Sequence, residues 1–177
     1  NPVILENRRQ RMKAMISTLL LSFGTPMMLA GDEFAHSQFG NNNPYCQDNV
    51  LTWIAWDAIS KEDKEQVKFV RRVIGLRKKL RIFNRRHFFI GKVVKNGYKD
   101  IAWYNERGVE MAANDWHDGN RKALSYCVYT GSRFVLAIFN ANHDDMSWKL
   151  PEISGNLSWN LLLDSSSKFG EEGKIGS

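Results

Sequence analysis

Residues 23–49, FGTPMMLAGDEFAHSQFGNNNPYCQDN, gather the side chains of this sequence best suited to chemistry. An apolar run ends in two adjacent carboxylates, Asp32 and Glu33, and passes into a loop carrying Asn41, Asn42, Asn43, Tyr45 and Asp48. Two carboxylates can serve as a catalytic acid and base when they converge on one bond. Adjacent residues of an extended chain point to opposite faces, so Asp32 and Glu33 cannot act together in this way. Their expected work lies on the rim of a site: one caps the apolar run or pairs with a base, and the other braces the loop. The loop offers a second chemistry. Asn amides donate and accept at once, which suits sugar hydroxyls and equally the loop's own backbone. With Tyr45 as a stacking surface and Asp48 as an acceptor, Asn43, Tyr45 and Asp48 are the candidate ligand contacts, while Asn41 and Asn42 are assigned to folding the loop. No metal site is expected, because the clusters around His117 and His143 lack a matching second cluster. Cys46 and Cys127 match no metal spacing and read as free thiols.

These residues need elements to position them. Met12, Met15, Ile16, Leu19 and Leu20 recur at helical spacing, and Gly24 followed by Pro26 is a stop signal. The run PMMLAG then reads as a short strand, apolar throughout as buried parallel strands are. Ser60 with Asp63 forms a capping-box pattern. It opens a helix whose stripe is Phe69, Val73, Leu76, Leu80 and Phe83. From His87 the texture changes to short β-branched and aromatic runs separated by Gly, Asn and Asp: FFIGKVV, DIAWYN, ALSYCVYT, RFVLAIFN, MSWKL and LSWNLLLD. This spacing predicts an antiparallel β-sandwich, with YTGSRF as a tight hairpin and residues 165–177 as a polar, glycine-rich tail. Trp103, Trp148 and Trp159 are expected in the core or on the sheet surface, and Trp53 and Trp56 packed beneath the loop. The division is therefore residues 1–86 and residues 87–177.

Composition excludes several classes. The 177 residues are 43% hydrophobic and 25% charged, ordinary for a globular protein. No apolar run approaches the length of a membrane span, so no membrane partner is expected. The net charge of +6 is uneven, with eleven Lys and Arg against three acids in residues 61–86. Because an apolar stripe runs through that segment, the cations read as a solvated helix face, with no nucleic-acid partner expected.

The segments GTPMMLAGDEF, GNNNPYCQDN, DIAWYNERGVEMAANDWHD and FVLAIFNANHD, in this order, closely resemble the C-terminal part of isoamylase-type glycogen debranching enzymes of glycoside hydrolase family 13. The resemblance implies the last part of a (β/α)8 barrel followed by a β-sandwich. It implies a cytoplasmic parent enzyme that hydrolyses α-1,6 branch linkages of glycogen with retention and without a cofactor. The family's three catalytic acids follow the fourth, fifth and seventh barrel strands, so all are expected upstream and none within this chain. A single barrel strand without neighbours is expected to leave apolar surface open and to favour self-association. The rival reading is a non-catalytic α-glucan-binding or interaction module.

Overall fold

A computed structural model describes residues 1–95, 97–154, 157–166 and 173–174. It divides into two compact units, Asn1–Phe83 with Trp159–Ser177, and Asn84–Ser158.

In the first unit, helix α1 spans Pro2–Leu20. Asn1 caps it by accepting from the Val3 amide at 3.0 Å, and a proline at the first position suits a helix start. The helix ends at Leu20, four residues before the glycine stop signal, and buries Ser17 and Leu20; Met15 is 72% exposed. Helix α2 spans Lys61–Leu80 and opens with the expected reciprocal box, the Asp63 amide donating to Ser60 Oγ at 3.1 Å and the Ser60 amide donating to Asp63 Oδ2 at 3.2 Å. Its buried row is Gln66, Val70 and Val73, so the apolar stripe read from the sequence is rotated: Phe69 only flanks the core. Phe83 lies beyond the helix, which Arg81 closes with a left-handed φ of 53°. Leu20, Val70 and Val73 form the core, joined by Ile16, Met28, Ile74 and Leu163.

Arg77 ties the two helices together. Its Nη1 donates to the Leu20 and Ser22 carbonyls at 2.6 and 2.7 Å, and its Nη2 donates to the Gly24 carbonyl at 2.5 Å. The carbonyls orphaned where α1 stops thus receive one guanidinium. The same group lies 4.7 Å from the Phe83 ring centroid.

The apolar run after α1 forms no strand. Met27 is 87% and Leu29 61% exposed. A strand exists only through its ladder partners, and no described strand lies beside this segment. The chain instead turns at Gly31, whose φ of 105° and whose position 2.7 Å from His36 Cβ (measured from a would-be Cβ) admit no side chain.

The second unit holds a three-stranded antiparallel sheet in the order β3 (Ile101–Tyr104), β4 (Ala123–Tyr129), β5 (Phe134–Asn140). A small hairpin, β1 (Val93–Lys95) with β2 (Tyr98–Lys99), precedes it. Central β4 is buried at every position but Leu124 and carries Cys127, whose thiol burial pushes up to about 12. Trp116, Trp103, Tyr126 and Phe139 make a continuous ladder of ring contacts, with centroids 5.7–5.8 Å apart. The expected hairpin is present: Tyr129 pairs with Phe134, the Thr130 amide donates to the Arg133 carbonyl at 2.9 Å, and Gly131 takes φ 86°.

The β-sandwich is reached only as this one sheet among the described residues. In FFIGKVV only β1 is a strand, because the Ile90 and Gly91 amides donate to the buried Asp100 carboxylate, each at 2.9 Å, instead of to a neighbouring strand. MSWKL stays irregular, its Lys149 amide donating to the Glu106 carbonyl at 2.9 Å. Of LSWNLLLD only β6 (Asn160–Leu161) pairs, with β7 (Gly173–Lys174), while Arg72 Nη2 donates to the Leu162 carbonyl at 3.2 Å. Most of the polar tail, residues 167–172 and 175–177, lies outside the described residues.

Replacing Arg77 by Ala should lower stability by about 2 kcal/mol, the scale of charge-assisted bonds partly replaced by water. For a chain of this size that is a fall in Tm of roughly 4–8 °C. Arg77→Lys should not recover it, since one ammonium cannot span three carbonyls. Thermal melts of the three proteins check this, and an unchanged Tm in Arg77→Ala would refute the clamp.

Candidate functional site

Asp32 and Glu33 lie in a 3-10 turn, Asp32–Phe34, not in extended chain. Three residues per turn still separates their side chains by about 120°. Each carboxylate is engaged with its own turn. Asp32 Oδ2 accepts from the Leu29 amide at 3.3 Å, and Glu33 Oε2 accepts from the Gly31 amide at 2.9 Å. Phe34 is buried beneath them, its ring 5.6 Å from that of Trp56. The turn therefore uses both acids to fold itself, and neither is paired with a base through any described bond.

The loop that follows is built from turns in which side-chain amides replace backbone acceptors. Asn41 Oδ1 accepts from the Asn43 amide at 2.9 Å, Asn43 Oδ1 from the Tyr45 amide at 3.3 Å, and Asn49 Oδ1 from the Leu51 amide at 2.9 Å. This is the Asx-turn chemistry that makes asparagine a loop former. Asn41 thus folds the loop as expected, and Asn43 does the same work with its carbonyl oxygen. Tyr45 is 80% exposed and projects a free phenol. Asp48 is not an open acceptor on both oxygens, because Trp53 Nε1–H donates to its Oδ1 at 2.8 Å. Trp53 and Trp56, expected beneath the loop, are 57% and 64% exposed. Trp56 nevertheless packs its ring on buried Phe34, while Trp53 lies at the surface with its indole N–H on Asp48. Sequence signals only that large rings sit near a polar loop, not which side of it they take.

The second unit assembles a different cluster. Arg121 Nη1 donates to Glu106 Oε2 at 2.5 Å and Nη2 to Asp115 Oδ1 at 2.8 Å. Asp115 also accepts from the Ala112 amide at 3.0 Å and, more distantly, from the amide of the fully buried Asn105. Asn105 Oδ1 in turn accepts from the Arg107 and Val109 amides. Backbone donation and Arg121 hold the Glu106 carboxyl below its ordinary range; backbone donation from Ala112, with Asn105 and Arg121, does the same for Asp115. Two carboxylates kept ionised by a shared guanidinium lack the raised pKa that a general acid needs. This cluster fastens the turn after β3.

His117 Nδ1 lies 2.6 Å from the Ala113 carbonyl, within its own short helix. Among the described residues no group of three or more His, Cys, Asp or Glu is placed to hold a metal ion. No described helix is long and apolar enough to cross a membrane.

No family model matches the chain. It is similar to curated proteins named for glycogen metabolism. It is 36% identical over 186 residues to the glycogen operon protein GlgX homolog of Mycobacterium tuberculosis, covering 97% of this chain and 26% of that protein. The same figures hold for the homolog in Mycobacterium bovis. The glycogen debranching enzyme of Salmonella typhi is 36% identical over 149 residues, covering 84% of this chain and 21% of that enzyme. The chain thus spans about a quarter of the length of the curated relatives it matches, and over nearly its whole length it is homologous to a portion of them.

The lowered carboxyls make a pH prediction. Glu106 and Asp115 bind protons more weakly in the folded chain than at their ordinary values of 4.5 and 3.8. As pH falls, the unfolded chain takes up these protons first, so the stabilisation is fully present above about pH 5 and is lost as pH falls through the lowered native values. Arg121→Met should flatten this acid slope. Thermal melts between pH 6 and pH 3 measure it, and parallel slopes for the two proteins would contradict the assignment.

Proposed function

We propose that this chain, homologous over 97% of its length to a portion of GlgX-type proteins, is the C-terminal part of an isoamylase-type glycogen debranching enzyme. In this reading residues 1–86 are the closing part of the catalytic (β/α)8 barrel and residues 87–177 the β-domain that follows in sequence. The parent cleaves α-1,6 branch linkages of glycogen in the cytoplasm. The observation that carries the reading is the extent of the match together with the name of the Salmonella relative. The local structure supports it: a helix, an apolar segment, a polar loop and a capped helix precede the antiparallel sheet in the order the family requires.

The chemistry belongs to the parent, not to this part of it. A retaining glycosidase needs a nucleophile and an acid/base about 5 Å apart. In this chain Asp32 and Glu33 are engaged by their own turn, and Glu106 and Asp115 are ion-paired with Arg121. What the chain contributes is the rim: the turn at Asp32 and Glu33 supports the loop, and Asn43, Tyr45 and Asp48 belong to the sugar-facing edge. The exposed rings of Tyr45, Trp53 and Trp56 also suit the rival reading, a glucan-binding module. The two separate on affinity, because a module holds an oligosaccharide tightly by itself and a piece of rim does not.

The purified chain should release no reducing ends from glycogen or a branched limit dextrin. Turnover that disappears in Asp32→Asn or Glu33→Gln would overturn both the reading and the rim assignment. The apolar side chains left open on the first unit, among them Val3 at 65%, Ile4 at 58%, Met15 at 72% and Met27 at 87% exposed, support self-association of the chain. Sedimentation over a concentration series should show mass rising with concentration, and a strict monomer at every concentration would end that idea.

A further inference from the structure

Asp48 accepts from an indole that buries little. Trp53 is 57% exposed, yet its position is fixed at both ends. At the backbone, the Trp53 and Thr52 amides donate to the Asn49 carbonyl at 3.1 and 3.0 Å, and Thr52 Oγ1 donates to the Gln47 carbonyl at 2.8 Å. At the ring, Nε1–H donates to Asp48 Oδ1 at 2.8 Å. An exposed aromatic side chain held this firmly is costly to maintain unless its face is used, because ordering it forfeits rotamer freedom without the return of burial.

We propose that Trp53 is the surface on which an α-glucan chain stacks at this loop, and that Asp48 is a positioning residue which orients it. The inference rests on the glucan reading of the chain and moves the sugar contact from Asp48 to Trp53. Three pieces of chemistry support it. The C–H face of a pyranose carries partial positive charge and seeks the electron-rich face of an aromatic ring. A carboxylate bonded to the indole N–H pushes electron density into that ring and strengthens the attraction. Because Asp48 already satisfies the N–H, a sugar covering the ring displaces no water from it, and the ring's order is settled before the ligand arrives. Tyr45, 80% exposed on the same loop, supplies a second ring for a neighbouring glucose unit.

The test is a titration of the ¹⁵N-labelled chain with maltohexaose at millimolar concentration, following the indole N–H signals of its six tryptophans, assigned by single Trp→Phe variants. The Trp53 signal should move on titration, and Trp53→Ala should raise Kd about tenfold, the scale of one lost aromatic contact. Asp48→Ala should displace the Trp53 signal before any sugar is added and raise Kd about threefold. Asp48→Asn keeps an acceptor oxygen for the indole N–H, so it should return the Trp53 signal towards its original position and recover part of the affinity, the rest being the charge that the carboxylate lends the ring. Dispersed spectra of each variant show that it is folded. If maltohexaose moves only signals away from the loop and Trp53→Ala binds as the parent chain does, the inference fails while the glucan reading stands. If no signal moves at all, the loop is not a glucan surface and the inference falls with it. The hydrolase assignment is judged separately by the activity of the longer protein.

Discussion

Every backbone amide and carbonyl that leaves a helix or a ladder must find a partner, and in this chain the partner is repeatedly a side chain. Arg77 serves the carbonyls past the end of α1. Asp100 gathers the amides of Ile90, Gly91 and Ile101 at the entry to the sheet. Asn105 does the same for the turn after β3, and Asn41, Asn43 and Asn49 for the long loop. Regular structure is short outside the two long helices, so the polar side chains carry the geometry that a larger sheet would otherwise impose. The carboxylates that would be candidates for catalysis are here bonded to backbone amides or to Arg121. Carboxylates and amides are the groups best able to satisfy an irregular backbone, and here they are consumed in doing so.

The same constraint sets what could be read from sequence. The Ser60–Asp63 box and the Gly131 hairpin were legible because their determinants lie within a few residues. The existence of α1 and α2 followed from apolar spacing for the same reason. The details of their faces did not. Gln66 is buried in the row with Val70 and Val73, and a pattern that scores apolar residues passes over it. The strands were harder still. An apolar run such as PMMLAG has the composition of a strand, but strand formation is decided by a partner distant in sequence. FFIGKVV fails for a different reason: ten residues on, Asp100 offers a carboxylate to amides that a neighbouring strand would otherwise have taken. No local pattern announces that competition.

At the candidate site, residue types say which side chains share the loop but not which of them its own backbone engages. Asn43, Tyr45 and Asp48 all lie on one exposed loop, and Tyr45 presents its ring as expected. Asn43 bonds to the loop's backbone through its carbonyl oxygen as Asn41 does, a use that residue type does not distinguish from contact with a ligand. Asp48 and Trp53 form a pair five residues apart, a distance at which neither helix nor strand periodicity suggests contact. The cations of α2 divide: Lys61, Lys64, Lys68, Arg71, Lys78 and Lys79 are exposed, while Arg72 and Arg77 turn to backbone carbonyls, a split that charge counting alone does not show.

The two thiols of the chain live in different redox worlds. Cys127 sits in the middle strand of the sheet with its proton held up to about pH 12, so the thiolate that oxidants and disulfides attack is all but absent there. Cys46 is exposed, at a left-handed turn beside Tyr45. Thiol oxidation therefore reaches this chain at one address. A bridge within the folded chain is ruled out for want of a second reactive sulfur, and any adduct or cross-link to another molecule falls on the asparagine loop, where it alters the surface offered to a ligand and leaves the sheet untouched.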